Sequence, residues 1–192
     1  MIMKTLILNG SPRKNGDTVS LIREVTQKLP GECRTVDAYY CDISPCVDCR
    51  YCREHSRRCA IEDEMQQVYD CIQECDNIII ASPVYFSELT GKLLDLGSRL
   101  QVYYCAAAYR NEKPVMKPKR GAVILVGGDD GRMDKAYGTA CTLLRLMNCQ
   151  SIHELVCSHD TDKTPAIEDR NAVLGTESIV RFFTDQDGSG PV

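Results

Sequence analysis

Apolar runs and helically spaced apolar positions alternate along this chain of 192 residues. The runs predict five strands, at residues 5–8, 33–40, 78–81, 122–126 and 152–157. Apolar side chains that recur every three or four positions predict amphipathic helices within residues 21–29, 65–75, 89–100, 133–147 and 173–183. An extension of the third helix to Tyr104 stays open. Five strands that are each followed by a helix predict an α/β fold: a doubly wound, five-stranded parallel sheet with helices on both faces.

Ligands of such sheets bind beyond the carboxyl ends of the strands, at the point where the strand order reverses. Three loops of distinctive composition follow predicted strands at that edge, namely residues 9–18, 82–87 and 127–131. We therefore expect one binding crevice shaped by all three loops.

The first loop has the composition of an anion-binding loop. It reads NGSPRKNGDT between an apolar strand and a helix, an arrangement that gathers backbone N–H groups and a helix dipole around one anion. Five residues separate Gly10 from Gly16, and Asp17 stands where a nucleoside-triphosphate loop has its lysine. The dinucleotide fingerprint G-x-G-x-x-G is missing as well. A single terminal monophosphate, as in FMN, fits this loop better than ATP or NAD.

The side chains of the same loop suit that phosphate. Ser11 and Thr18 supply hydroxyl groups, and Arg13 supplies a cation. The alternative is an ordinary strand-to-helix turn with Asp17 or Thr18 as the N-cap and no ligand.

The second loop carries two aromatic residues, Tyr85 and Phe86, at a position expected to face solvent. A flat isoalloxazine ring would pack against them, next to the restricted backbone at Pro83 and Val84. A helix N-terminus contributes only about 0.3–1 kcal/mol to anion binding, whereas nanomolar affinity requires about 12 kcal/mol. The ring must therefore be held too. Packing of both aromatics onto the next helix, as a hydrophobic staple, is the alternative.

The third loop contributes Gly128 and Asp129 as candidate cofactor-binding residues. Its glycines permit close approach of the backbone to a ring. Asp-Asp-Gly is also ordinary turn chemistry, so a turn without a ligand remains open.

Composition narrows the class of protein. A net charge of -4 with scattered Lys and Arg makes nucleic acid an unexpected partner. We expect no membrane association, because no apolar run approaches the roughly 18 residues of a membrane span. The short start before Asn9 does not predict a secretory signal, and we expect a cytoplasmic protein. One domain is expected at residues 1–184, with a loose tail at 185–192.

Twelve cysteines are unexpected in a reducing compartment, and four of them cluster. Cys46, Cys49, Cys52 and Cys59 have a spacing that can wrap one [4Fe–4S] cluster. Neighbouring arginines, at positions 50, 53, 57 and 58, would lower the pKa of the thiols and favour the ligating thiolates. A structural zinc ion is one alternative. Thiols without metal, reduced or in a disulfide, are the other.

Two motifs and the cysteine segment carry a family resemblance. GSPRKNGDT and SPVYFSELTGKLLD resemble the NADPH-dependent FMN reductases of the flavodoxin-like fold, and the cysteine segment is similar to that of their iron–sulfur flavoprotein branch. The resemblance implies that the FMN phosphate is held at Ser11, Arg13, Asp17, Thr18 and Val19. It implies that the flavin ring is lined by Pro83, Val84, Tyr85 and Phe86. Asp17 departs from the neutral residue more usual in that family.

The resemblance also predicts the chemistry. NAD(P)H would dock transiently, deliver hydride to flavin N5 and leave, after which a quinone, flavin or similar small-molecule acceptor would use the same opening. No side chain is expected to act as a catalytic residue. The alternative function is an iron–sulfur electron carrier or redox sensor that is served by a ferredoxin-like donor and has no NAD(P)H turnover of its own. Apolar and aromatic surface near residues 89–109 predicts a homodimer or homotetramer.

Overall fold

A parallel sheet forms the centre of the computed structural model, which describes residues 2–55 and 58–185. Its strands are β1 Lys4–Asn9, β2 Glu32–Asp37, β3 Asn77–Pro83, β4 Lys119–Val126, β5 Cys149–Ile152 and β6 Val156–Ser158. The strand order is β2-β1-β3-β4-β5, and β6 also pairs with β4. This order is that of flavodoxin-like sheets, and it confirms the predicted doubly wound α/β fold.

Helices connect these strands on both faces. They are α1 Asp17–Thr26, α2 Tyr51–Glu54, α3 Met65–Glu74, α4 Gly91–Ser98, α5 Gln101–Arg110, α6 Asp134–Leu146 and α7 Arg170–Thr184, with a short 3₁₀ helix at Ala166–Glu168 before the last. Neither α2 nor the 3₁₀ helix is predicted from sequence, because neither is long enough to show a helical period. The tail predicted at residues 185–192 lies outside the described residues except for its first position, Asp185.

The strands bury alternate side chains on opposite faces of the sheet. Leu6 and Leu8 pack with α3, α4, α5 and α6, whereas Ile7 between them packs with α1 and α7. The central strands β3 and β4 repeat this alternation with apolar residues on both faces. Strands covered on both faces appear in the sequence as continuous apolar runs, which is why these strands are easily predicted.

The last strand is predicted as one segment at residues 152–157, and this is wrong. The chain pairs with β4 from Cys149, leaves the sheet at residues 153–155, and pairs again from Val156. Gly121 pairs with Ile152 and Ile124 with Val156, so the edge strand has one residue more than β4 over this interval. The register also shifts earlier in the same edge, where Lys119 pairs with Cys149 and Arg120 with Ser151; edge strands tolerate such β-bulges.

The helix predicted at residues 89–100, with its open extension to Tyr104, is two helices. The chain turns at Arg99 and Leu100, between α4 and α5. Both residues are buried, and the Arg99 carbonyl accepts a hydrogen bond of 2.8 Å from the Tyr69 hydroxyl. Periodicity alone does not show the break, because the apolar spacing continues across it.

No helix within the described ranges is long and apolar enough to cross a lipid bilayer.

Candidate functional site

The binding crevice lies where the strand order reverses, at the carboxyl ends of β1 and β3. The loops that follow these two strands pack tightly at their bases. Gly10 N donates to Ala81 O at 2.8 Å, and the Thr90 hydroxyl donates to Gly10 O at 2.8 Å. A Cβ on Gly10 would lie 2.7 Å from Thr90 Oγ1. Glycine at position 10 is therefore required by the close approach of the two loops.

The crevice has a volume of about 300 Å³ and collects residues from four loops. Nine predicted site residues line it: Ser11, Arg13, Asp17, Thr18, Pro83, Val84, Tyr85, Gly128 and Asp129. Two others do not. Val19 lies one position further along α1, and Phe86 borders the adjoining cavity instead.

One end of the crevice is built for an anion. The N-cap of α1 is Gly16, not Asp17 or Thr18 as the turn-only alternative expects. Glycine has no side chain to cap the helix, so the first-turn N–H groups are left to an external acceptor. Gly16, Asp17 and Thr18 all line the crevice, and the helix dipole favours negative charge there.

Ser11 organises the backbone of this loop. Its N–H donates to Asn9 Oδ1 at 2.9 Å, and its hydroxyl oxygen accepts from Arg13 N at 3.2 Å. Asn9 Nδ2 in turn donates to Asp37 Oδ1 at 2.6 Å. The loop is thus preorganised by its own side chains, while the exposed Arg13 stands at the mouth of the crevice.

Asp17 has a structural partner that the sequence does not reveal. Its Oδ1 accepts a hydrogen bond of 2.8 Å from Ala166 N, at the start of the 3₁₀ helix. That N–H offsets part of the negative charge that a carboxylate brings to a phosphate site. The side chain at position 17 thus has a structural role besides any contact with a phosphate.

The other end of the crevice presents a rigid loop and two aromatic side chains. Val84 N donates to Val126 O at 2.8 Å, and Tyr85 and Glu88 exchange two backbone hydrogen bonds of 3.0 Å. Tyr85 is 45% exposed and Phe86 is fully exposed. Both face solvent as expected, so Phe86 does not form a hydrophobic staple with the next helix.

The remaining wall comes from the loops after β4 and β6. Thr161 and Asp162 line the crevice beside Gly128, and the Thr161 hydroxyl donates to Gly127 O at 3.0 Å. A Cβ on Gly128 would lie 2.8 Å from Asp162 Oδ2. Thr161 and Asp162 are not among the residues inferred from sequence. They could have been found by applying the carboxyl-end rule to the last strand as well as to the other three.

The cysteine segment surrounds a second, separate cavity of about 120 Å³. All four predicted ligands line it: Cys46, Cys49, Cys52 and Cys59. A fifth thiol, Cys105 of α5, lines it too. Burial, followed by a hydrogen bond with Cys105, raises the pKa of Cys52 to about 12. The expectation that nearby arginines lower the pKa of these thiols is wrong for Cys52, whose pKa is raised chiefly by burial. Arg57 lies outside the described residues.

Cysteine thiols are the ligand type that an iron–sulfur cluster uses, and five of them line this cavity. Across residues 2–55 and 58–185, no three His, Cys, Asp or Glu side chains converge as the ligands of one metal ion. A zinc ion requires four such converging ligands. An iron–sulfur cluster is held by cysteine thiolates at separate irons, so its ligands surround a space instead of meeting at a point. The thiols that line this cavity are ligands of that type and surround a space.

The fold and the crevice together define the class of protein: a flavodoxin-like α/β protein with a mononucleotide site at its switch point. Residues 3–162 match the family model for NADPH-dependent FMN reductases, and the chain belongs to that family. FMN is accordingly the cofactor, and the protein is an FMN-dependent oxidoreductase. The open first turn of α1 and the two-ended crevice fit this cofactor.

Two relatives and one solved structure illustrate the likeness. An iron–sulfur flavoprotein of Methanosarcina thermophila is 30% identical over 82% of this chain and 74% of its own length. An iron–sulfur flavoprotein of Methanocaldococcus jannaschii is 28% identical over 84% of this chain and 79% of its own length. The NAD(P)H:quinone oxidoreductase from Methanothermobacter marburgensis superposes with a TM-score of 0.65 at 15% identity, covering 95% of this chain and 96% of that one. The last likeness establishes the fold.

Proposed function

We propose that this protein is an NAD(P)H-dependent oxidoreductase that passes electrons through bound FMN to a quinone, a free flavin or a similar small acceptor. The observation that carries the proposal is the form of the crevice. Its ring end opens beside Tyr85 into an adjoining cavity of about 360 Å³. A second planar molecule has room there. The description of the family as NADPH-dependent supports a nicotinamide donor.

The chain's own contribution is to bind and to orient. FMN supplies the hydride chemistry when it is bound. The N–H groups at the start of α1 and the guanidinium of Arg13 hold the phosphate. The backbone of the loop at residues 83–86 provides N–H and C=O groups for the pyrimidine edge of the ring. The hydrogen bonds of Val84 and Tyr85 keep that backbone rigid, which keeps the ring accessible in one orientation.

Anaerobic reduction tests this proposal. The purified protein, reconstituted with FMN, is mixed with NADPH or NADH, and the loss of yellow absorbance is followed by stopped flow. We expect rapid bleaching by at least one of them, and recovery of the colour when a quinone is added. Bleaching by reduced ferredoxin or dithionite, with neither nicotinamide effective, would exclude nicotinamide-dependent turnover.

A second candidate function is electron transfer through an iron–sulfur cluster. Relatives that are named iron–sulfur flavoproteins and the thiols around one cavity both favour it. Cys46, Cys49, Cys52 and Cys59 would hold the cluster and take the electrons to or from a ferredoxin-like protein. Iron and sulfide analysis of anaerobically purified protein tests it, with about four irons per chain expected for a [4Fe–4S] cluster.

A matched pair of variants makes that analysis specific. Cys49→Ser removes a thiol of the cavity, whereas Cys141→Ser removes a buried thiol on α6 that does not line it. We expect loss of iron in the first variant and wild-type iron in the second. Equal iron in both would remove the cysteine cavity as the cluster site.

We also propose a homo-oligomer. Tyr104 and Tyr109 are about half exposed on α5 and are available for a subunit contact. Tyr103 is buried within the chain itself and belongs to its core. Sedimentation velocity should show a dimer or a tetramer, and Tyr104→Glu should shift it towards the monomer. A monomeric wild type would contradict this.

A further inference from the structure

An aromatic side chain occupies a strained turn at the tip of the loop after β3. Phe86 and Ser87 have φ angles of 53° and 61°. They lie between Tyr85 and Glu88, whose backbones exchange two hydrogen bonds of 3.0 Å. Two consecutive left-handed residues closed in this way have the signature of a type I′ turn, for which Asn-Gly is the preferred sequence. The backbone therefore offers no reason for phenylalanine here.

Burial gives no reason for Phe86 either. Its side chain is fully exposed, so its apolar surface gains nothing from the fold. The turn is nevertheless anchored to α6, because Glu88 Oε2 accepts from the Thr139 hydroxyl at 3.2 Å and lies 3.5 Å from Lys135 Nζ. Rigid, strained positions of this kind are characteristic of binding and catalytic sites.

The cavity beside Phe86 adjoins the flavin crevice. Val84, Tyr85 and Asp129 line both spaces, so a molecule in the cavity would lie next to the ring end of the crevice. Arg132 and the buried Met133 form part of the cavity's other wall, at the start of α6. The cavity thus combines aromatic and apolar surface with a cationic side chain.

We propose that Phe86 is a stacking platform for the planar ring of the molecule that exchanges electrons with the flavin. The proposal rests on the function proposed above, and it assigns the side chain of Phe86 to the substrate, while the backbone of the same loop serves the flavin. Reduced nicotinamide and oxidised quinone share the required planar ring. They differ in charge, because a dinucleotide carries phosphates and a quinone is neutral. Arg132 therefore attracts the dinucleotide but not the quinone.

Three variants at position 86 test the platform in the FMN-loaded protein. Phe86→Leu removes the ring but keeps apolar volume, and it should raise KM roughly three- to ten-fold, the range expected for loss of one aromatic contact. Phe86→Trp keeps a ring and should retain a KM near that of wild type. Leu174→Ala, an exposed apolar truncation on α7, serves as the control.

Phe86→Gly separates a binding role from a structural one. Glycine adopts positive φ without cost, so this variant should melt at a higher temperature than wild type while its KM rises. A structural role for Phe86 predicts a lower melting temperature instead. Measuring KM separately for NADPH and for a naphthoquinone shows which ring uses the platform. Arg132→Gln should raise the KM for the dinucleotide alone.

Several outcomes would overturn the proposal. The first is a wild-type KM for both substrates in Phe86→Leu and in Phe86→Gly. The second is a lower melting temperature in Phe86→Gly. The third is an altered sedimentation coefficient in either variant, which would assign Phe86 to a subunit contact. Failure of the proposed function is distinguishable from these. If neither nicotinamide reduces the bound FMN, oxidation of the dithionite-reduced protein by the quinone still measures the contribution of Phe86.

Discussion

Arg99 and Asp63 form a buried, two-pronged ion pair beneath the cysteine segment. Arg99 Nη1 lies 2.6 Å from Asp63 Oδ2, and Arg99 Nη2 lies 3.1 Å from Asp63 Oδ1. Both side chains are almost completely buried. The same guanidinium donates to Ser44 O at 2.9 Å and to Ile61 O at 3.2 Å. One side chain thereby joins the two ends of the segment that carries the four cysteines.

Breaking this pair should destabilise the protein strongly. Asp63→Ala leaves Arg99 buried without its counter-ion, and such losses cost about 3–5 kcal/mol. The unfolding free energy, measured in urea, checks this. Lys4→Met disrupts the exposed Lys4–Glu74 pair and should leave the unfolding free energy nearly unchanged. The double variant Arg99→Met/Asp63→Leu should recover much of the loss, and a double variant no better than Asp63→Ala would contradict the pairing argument.

Stability should fall in acid partly through Asp63. Burial alone would raise the pKa of this carboxyl, but hydrogen bonds from Arg99 and from backbone N–H groups outweigh it and lower the pKa below the ordinary value. A lowered pKa means that the contribution is present above the unfolded pKa of about 3.9 and is lost as the pH falls below it. Urea titrations between pH 3 and pH 6 should show that the difference in unfolding free energy between wild type and Asp63→Asn becomes smaller below about pH 4. A difference independent of pH would contradict this.

Gly10 should be essential to the phosphate loop. In Gly10→Ala the new methyl group meets Thr90 Oγ1 at 2.7 Å and Leu93 Cδ2 at 2.9 Å, so the loops after β1 and β3 must move apart. We expect the Kd for FMN to rise about ten-fold or more, which corresponds to about 1.4 kcal/mol. Quenching of FMN fluorescence measures it. Gly138→Ala, on α6 with open space around it, should leave the Kd unchanged and stabilise the helix by about 0.5–1 kcal/mol.

Asp17 should limit FMN affinity while it stabilises the apoprotein. Asp17→Asn keeps an acceptor for Ala166 N but removes the charge beside the phosphate. We expect the Kd for FMN to fall about two- to five-fold, as for an interaction of 0.5–1 kcal/mol, and the melting temperature of the apoprotein to fall slightly because α1 loses an acidic first-turn residue. Asp17→Ala should lower the melting temperature further. An unchanged Kd in Asp17→Asn would show that Ala166 N already compensates the charge, and weaker FMN binding would contradict the prediction.

Thiol alkylation should distinguish a cluster from metal-free thiols. Cys33 and Cys49 are both exposed, but only Cys49 lines the cysteine cavity. In iron-free protein, iodoacetamide should modify Cys49 well before Cys52, whose pKa is raised by burial. After anaerobic reconstitution with iron and sulfide, Cys49 should be protected while Cys33 is not, as peptide mass spectrometry would show. Equal labelling of Cys49 in both samples would argue for thiols without metal.

Much of the fold follows from local patterns. The central strands are buried on both faces and therefore appear as continuous apolar runs, and the long helices repeat their apolar side chains at the helical period. The element order then places the loops after β1, β3 and β4 at one edge of the sheet, so nine of the eleven cofactor-binding candidates can be assigned to one crevice before the structure is known. The break at Arg99 leaves no such mark, because apolar spacing continues across it.

The remaining features depend on residues that are far apart in the chain. The Asp17–Ala166 hydrogen bond joins positions 149 residues apart, Arg99 reaches across to Asp63, and Cys105 joins the cysteine cavity from α5. The left-handed turn at Phe86 is equally invisible, because the sequence at that turn is Phe-Ser and not Asn-Gly. Composition and the spacing of apolar residues show which side chains a segment buries, so they indicate strands, helices and loops. Partners for a carboxylate, a guanidinium or a thiol depend on which segments the packed core brings together, and that requires the three-dimensional structure.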